Sequence, residues 1–207
     1  EMRGGLSLMN ASYRGAPIPD FRDGFQYANE KLVSHAEMLR NGGQPLAHID
    51  VDAPINLALA GATTPRVLDR PLKVDFVADS LPLDALPRFT DAVSDVHGRI
   101  IGAIAARGTG TKPVVLGQLG LDFATFKLAA LGVTARDMGG LIHMNGKEIV
   151  IDTIGARSGE GVFDIKGKIG IVDATNPTFD LKFDATDAEV LNNETGDLHA
   201  NARIAVN

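Results

Sequence analysis

Through most of this chain apolar and polar residues alternate, and no other feature restricts its fold as much. From Val162 to Ala185 the apolar positions are Phe163, Ile165, Ile169, Ile171, Phe179, Leu181 and Phe183. Asp164, Lys166, Lys168, Asp180, Lys182 and Asp184 fall between them. A period of two belongs to a strand with one oily face and one wet face. The same phase holds for Ile49, Val51, Ile55, Leu57 and Leu59, for Leu72, Val74 and Phe76, and for Leu119, Leu121 and Phe123. "GGLIHMNGKEIVID" adds Ile142, Met144, Ile149 and Ile151, with Asn145-Gly146 expected as a two-residue type I′ turn that pairs Ile142 with Ile149 and His143 with Glu148. The expected fold is therefore mainly β.

Two other segments are read differently. "SLPLDALPRFTDAVSDV" spaces Leu83, Leu86, Phe89 and Val93 by three and four, which predicts one short helix near 80–94, disturbed by Pro87. "PDFRDGFQYANEK" fits a turn or a helix, and a loose hairpin is preferred. That preference comes from an internal echo: Gly4–Tyr13 aligns with Gly117–Phe126, while Gly24 and Asn29 match Gly140 and Asn145. The expected organisation is a β meander over 1–79, a helical connector over 80–97 and a second meander over 98–207. Stacked sheet repeats of this kind build elongated structures.

Composition narrows the function. The net charge is −6 and no basic stripe is present, which argues against nucleic acid and against docking on anionic membranes. Cysteine is absent, so disulfides and thiolate metal sites are excluded. Aromatics are 5% with no Trp, so any core is aliphatic. No apolar run reaches membrane-spanning length and no signal peptide is visible. Both ends begin directly in strand-like sequence, so the expectation is a piece cut from a longer chain.

Candidate sites are few. His48, Asp50 and Asp52 put three possible ligands on one strand face, but they converge on an ion only with help from a neighbouring strand, and a solvated face is the simpler reading. The five histidines share no ligand spacing. "RGTGTKPVV" lacks P-loop spacing and "GARSGEG" lacks the dinucleotide pattern; both read as turns. The sequons at Asn10 and Asn193 are short patterns of the kind that arise by chance. No catalytic residue, metal site or cofactor is expected.

Several phrases carry a resemblance. "DVHGRIIGAIAARGTGTKPVVLGQLGLDFATFKLAALG", "GGLIHMNGKEIVIDTIGARSGEGVFDIKGKIGI" and "PTFDLKFDATDAEVLNN" follow the order G-x-(I/L)-x-G, then G-T-x-x-x-P-x-x-x-G-x-L, then an Asn-Gly hairpin, then G-x-x-x-(I/V)-x-G-x-I. This resembles the TamB family of the AsmA-like superfamily, over about Leu72 to Leu191. The resemblance implies an elongated, curled antiparallel sheet, a "β-taco" trough with a greasy concave face. It also implies a periplasmic location on an inner-membrane anchor outside this segment, phospholipid movement to the outer membrane, and an outer-membrane assembly partner engaged elsewhere in the chain.

Three readings of the oily face follow. As a trough, it meets phospholipid acyl chains, and its lining is Ile49, Val51, Ile55, Leu57, Leu59, Leu72, Val74, Phe76, Leu119, Leu121, Phe123, Ile142, Ile149, Ile151, Phe163, Ile165, Ile169, Ile171, Phe179, Leu181 and Phe183. As an assembly scaffold, the chain pairs its edge strands with client strands. As a closed β-sandwich, it buries the face against a second sheet.

Overall fold

The computed structural model describes residues 1–13, 16–40, 43–58, 65–84, 86–88, 90–170 and 177–206. Its strands are β1 (Met2–Leu8), β2 (Ser12–Tyr13), β3 (Ala16–Pro17), β4 (Asp20–Ala28), β5 (Lys31–Leu39), β6 (Pro45–Pro54), β7 (Lys73–Pro82), β8 (Val93–Thr109), β9 (Lys112–Leu128), β10 (Val133–Asn145), β11 (Glu148–Ser158), β12 (Gly161–Gly170), β13 (Thr178–Asn193) and β14 (Gly196–Val206). Among the described residues β1 and β4 to β14 form one twelve-stranded antiparallel sheet in chain order, and β2–β3 is a separate ribbon. The sheet does not close into a barrel. The fold is thus mainly β, and among the described residues its main sheet is a single open one.

Packing divides the chain into two units. Unit 1 is Glu1–Asp79 with Ala103–Gly117, and unit 2 is Ser80–Gly102 with Gln118–Asn207. The long strands β8 and β9 contribute a stretch to each.

The expected helix near 80–94 is not there. β7 runs to Pro82, a single 3-10 turn occupies Leu86–Arg88, and β8 begins at Val93. The Leu83 amide donates to the Gly98 carbonyl at 3.0 Å, and the Leu86 amide to the Leu83 carbonyl at 2.9 Å. Pro87 has no amide to extend a helix. The spacing of three and four was a coincidence of a turn between strands. Phe89 lies outside the described residues.

The hairpins follow turn chemistry. β4 and β5 join through Asn29–Glu30, both at positive φ (52° and 57°), so the loose hairpin expected here is a tight one. Between β10 and β11 the expected register is corrected. Ile142 pairs with Ile151, His143 with Val150 and Met144 with Ile149, and the loop is Gly146–Lys147. Asn145 remains in the strand, where its Oδ1 accepts the amides of Lys147 at 3.0 Å and Glu148 at 2.9 Å. Moving the partner by two residues keeps every side chain on its face, so the apolar grouping survives the correction.

Four long strands of unit 2 contain a non-glycine residue at positive φ: Asp95 (50°), Phe123 (47°), Asp137 (53°) and Asp187 (48°). The ladder shifts register at Asp137 and at Asp187, as a β-bulge requires. Each such residue precedes a buried one, respectively Val96, Ala124, Met138 and Ala188. The apolar phase changes parity there. On β10 the buried positions are 133 and 135 before the bulge and 138 after it; on β13 they change from 185 to 188.

Candidate functional site

Cross-strand partners share a face of a sheet, so the registers sort the side chains of each unit. In unit 1 successive rungs are Met2–Tyr27–Leu32–Ala53, Gly4–Phe25–Ser34–Val51–Val74, Leu6–Asp23–Ala36–Ile49–Phe76 and Leu8–Phe21–Met38–Ala47–Ala78. This face is apolar apart from Ser34 and Asp23, and those two satisfy each other through Ser34 Oγ donating to Asp23 Oδ1 at 2.7 Å. At its free edge Met2, Leu6 and Leu8 are exposed.

The opposite face of unit 1 carries Arg3–Gln26–Val33–Asp52–Lys73, Gly5–Gly24–His35–Asp50–Asp75 and Ser7–Arg22–Glu37–His48–Val77. A cavity of about 530 Å³ beside Gly4 and Gly24 is lined by charged groups that include Arg3, His35 and Lys73, and also by Phe25 and Val51 of the apolar face. His35 Nδ1 is 2.7 Å from Asp50 and its Nε2 is 3.2 Å from Glu37. The hydrogen bond to Asp50, then that to Glu37, raises the His35 pKa above the usual histidine value. Asp52 pairs with Lys31 at 2.8 Å. The carboxylates of "HIDVD" are therefore used in cross-strand pairs and do not converge on an ion with His48. Arg107 binds Asp75 and the Val74 carbonyl, and its hydrogen bond holds the Asp75 carboxyl below the usual range.

In unit 2 the apolar rungs are Met144–Ile149–Ile169–Phe179, Ile142–Ile151–Gly167–Leu181–Val206, Gly140–Ile154–Ile165–Phe183–Ile204 and Ala156–Phe163–Ala185–Ala202. The Phe163 and Phe183 rings lie 5.7 Å apart in a tilted contact. Lys168, Asp180, Lys166, Lys182, Asp164, Asp184 and Arg203 take the other face.

The two ends of this unit 2 face differ. At one end Phe179 is 43% exposed, while Ile204 and Val206 are exposed along the β14 edge of the face. At the other, Ala124, Ala135, Met138 and Ala156 form a buried cluster, with Leu83, Leu121, Phe126, Ile154 and Phe163 packed on it. Ala185, Ala188 and Ser158 are buried nearby. Here β10 and β13 approach each other although two strands separate them in the sheet. The Asn192 amide donates to the Leu131 carbonyl at 2.8 Å, and Ser158 Oγ donates to the Glu189 carbonyl at 2.7 Å. The sheet of unit 2 thus curls towards its apolar face and closes on itself at this end.

Most predicted lining residues reach one of these two faces. Ile49, Val51, Val74 and Phe76 meet in unit 1; Ile142, Ile149, Ile151, Phe163, Ile165, Ile169, Phe179, Leu181 and Phe183 meet in unit 2. Leu121 packs on the alanine cluster, with Leu119 two residues before it on β9. Phe123 does not join them: it stands at positive φ (47°) and is 75% exposed, and Ala124 takes the inward place. Ile55 lies past β6 in an isolated bridge with Val67. Leu57 is exposed beyond the sheet, its amide donating to the Tyr27 hydroxyl at 3.0 Å. Leu72 precedes β7, with its amide on the Gly108 carbonyl at 2.9 Å. Leu59 and Ile171 lie outside the described residues. The sequence reading missed Phe21, Phe25, Leu32 and Met38 on the unit 1 face; the alternation in "DFRDGFQYA" was the signal for the first two.

Glu189, Asp197 and His199 on β13 and β14 place their ligand atoms within 4.8 Å of one another, the metal-like grouping among the described residues. Each already sits in local contacts. Glu189 Oε1 accepts from Asn192 at 2.7 Å, His199 Nδ1 is 3.1 Å from the Asp187 carbonyl, and its Nε2 is 3.5 Å from Asp197. The contact with the Asp187 carbonyl, then the nearby carboxylates, raises the His199 pKa.

Compared with known families, curated proteins and solved structures, the chain matches no family model, no curated sequence and no solved structure.

Proposed function

We propose that the apolar face of this sheet binds phospholipid acyl chains, and that the chain is a length of hydrophobic trough carrying lipid across the periplasm between inner and outer membranes, as its resemblance to the TamB family implies. The observation that supports this most is the register, which places aliphatic and aromatic side chains rung after rung on one face of an open sheet in each unit. Among the described residues the other sheet is only the ribbon β2–β3. An aliphatic lining suits a carrier. A methylene gains about 0.8 kcal/mol on leaving water for such a surface, much as it does in a bilayer. A chain moving between the two changes free energy little and leaves again.

The test is photo-crosslinking in cells, with the full-length chain carrying the crosslinker at Val51 or Leu181 on the apolar face, or at Asp52 or Lys182 on the polar one. Phospholipid capture at the first pair and not the second is expected; equal capture at all four refutes the reading. Leu181→Arg should stop capture and transport, because the guanidinium finds no partner among acyl chains.

A second reading is a scaffold that pairs its edge strands with strands of outer-membrane client proteins. It draws on β1, where all seven residues are exposed, and on β14, the other edge. A proline in β1 at an outward amide should abolish client binding and leave lipid capture intact; the reverse outcome removes the scaffold.

A further inference from the structure

We propose that Glu189, Asp197 and His199 form a binding site for a divalent transition-metal ion of the zinc class, near the turn of the β13–β14 hairpin. The site lies within unit 2, on polar strand positions, and does not depend on the lipid-binding reading above.

The register assembles it. Glu189 on β13 is the direct cross-strand partner of His199 on β14, and Asp197 lies two residues before His199, so the three side chains leave the same face. The next rung, Ala188–Ala200, has Ala188 buried on the apolar side, which puts the polar groups on the other. Their ligand atoms lie within 4.8 Å of one another, and His199 Nε2 is 3.5 Å from Asp197 Oδ1. Two ligands held at about 2.0–2.1 Å by one tetrahedral zinc ion stand ~3.3 Å apart. The histidine and Asp197 are therefore at ligand spacing, and the Glu189 carboxylate closes a gap of about 1–2 Å by turning about its side-chain bonds.

The histidine separates this group from an ordinary acidic patch. Its Nδ1 donates to the Asp187 carbonyl at 3.1 Å. In a neutral imidazole that leaves the lone pair on Nε2, on the side of Asp197. A zinc-bound histidine is held in the same way, with its second ring nitrogen on a carbonyl or carboxylate. Glu189 is oriented too: Asn192 Nδ2 donates to its Oε1 at 2.7 Å, which leaves Oε2 for an ion. The β11–β12 turn packs on both ligands, since a Cβ on Gly159 would stand 3.0 Å from Glu189 Cβ and 3.1 Å from His199 Cε1.

In front lies a cavity of about 410 Å³, lined by Thr134, Arg136, Glu160 and Asn192 together with Glu189 and His199. It gives water access to the position that three protein ligands leave open on a zinc ion. Among the described lining residues Arg136 is the one cation, and it donates to the Gly159 carbonyl at 2.7 Å. Glu160, Asp187, Glu189 and Asp197 outnumber it, so the local charge favours a cation. The nitrogen ligand selects against calcium and magnesium, which take oxygen.

The experiment titrates zinc chloride into the purified full-length chain, after treatment with a chelator, by isothermal titration calorimetry. His199→Gln and Glu189→Gln should each weaken one equivalent of zinc binding by about 100-fold or more, and Asn192→Ala, which removes only the orienting donor, by about 10–100-fold. His143→Gln, at a surface histidine paired with Asp152, should bind as the unaltered chain does. Far-ultraviolet circular dichroism checks that each variant keeps its strands. Zinc should also raise the thermal midpoint of the unaltered chain by more than that of His199→Gln. Equal stoichiometry and affinity in the unaltered chain and both ligand variants, or no zinc taken up by the unaltered chain, overturns the site. Calcium or magnesium bound more tightly than zinc overturns the histidine ligation on which it rests.

Discussion

Replacing Phe123 with glycine separates two descriptions of β9. If Phe123 continued the phase of Leu119 and Leu121 and packed inward, removing its ring would cost about 3–5 kcal/mol. The structure places it at φ 47° and 75% exposed, with Ala124 buried in its stead. Only about a quarter of the ring is then lost from burial, or roughly 0.5 kcal/mol of the 1.5–3 kcal/mol that full burial provides. Against this, a left-handed conformation costs a non-glycine residue roughly 1–2 kcal/mol, which glycine avoids. Glycine's larger backbone entropy in the unfolded chain returns about 0.5–1 kcal/mol of that. The sum is close to zero, within about 1 kcal/mol either way. Urea unfolding followed by far-ultraviolet circular dichroism measures it, with Phe163→Ala, which removes a ring packed on the alanine cluster, as the costly comparison. A loss above about 2 kcal/mol for Phe123→Gly, in the range of core ring deletions, would refute the bulge.

Glycines give a second contrast. Gly167 has φ 135° and its Cβ would overlap the Asp180 carbonyl, whereas Gly24 has nothing near its Cβ and an ordinary φ. Gly167→Ala should destabilise by about 2 kcal/mol or more and Gly24→Ala should be neutral or stabilising by up to about 1 kcal/mol, both read by thermal unfolding. pH gives another. The hydrogen bonds of His35 to Asp50 and Glu37 raise its folded pKa above 6.5. Its contribution is therefore fully present below the unfolded value and fades as pH rises through the folded one. Unit 1 should be less stable at pH 8 than at pH 6 by an increment that His35→Gln abolishes; an unchanged pH dependence in that variant would show that His35 is not the source.

Alternation made the strands and both apolar faces legible, because a side chain's face depends only on counting by two. The count fails where a residue is inserted. Nothing in "GLDFATF" marks Phe123 as the insertion until Ala124 and Phe126 are seen to continue the stripe in the other parity. "ARDMGG" and "ATDAEV" are clearer in retrospect, since aspartate tolerates positive φ and the apolar residues change parity across Asp137 and Asp187. The false helix had the opposite cause. Leu83, Leu86 and Val93 are apolar for separate reasons: Leu83 packs on the alanine cluster from a turn, Leu86 is exposed, and Val93 opens β8. The closed end of unit 2 left no local trace, because it depends on β10 and β13 meeting across two intervening strands.

Every sheet neighbour from β4 onward is also the next strand of the chain. In such an order a hairpin can be duplicated or deleted by joining two adjacent turns, without rethreading any crossover. Because antiparallel strands come in pairs, gain or loss of two at a time leaves every remaining strand with its direction and its inward residues unchanged. Length in this architecture is then a freely heritable quantity, set by the number of hairpins encoded.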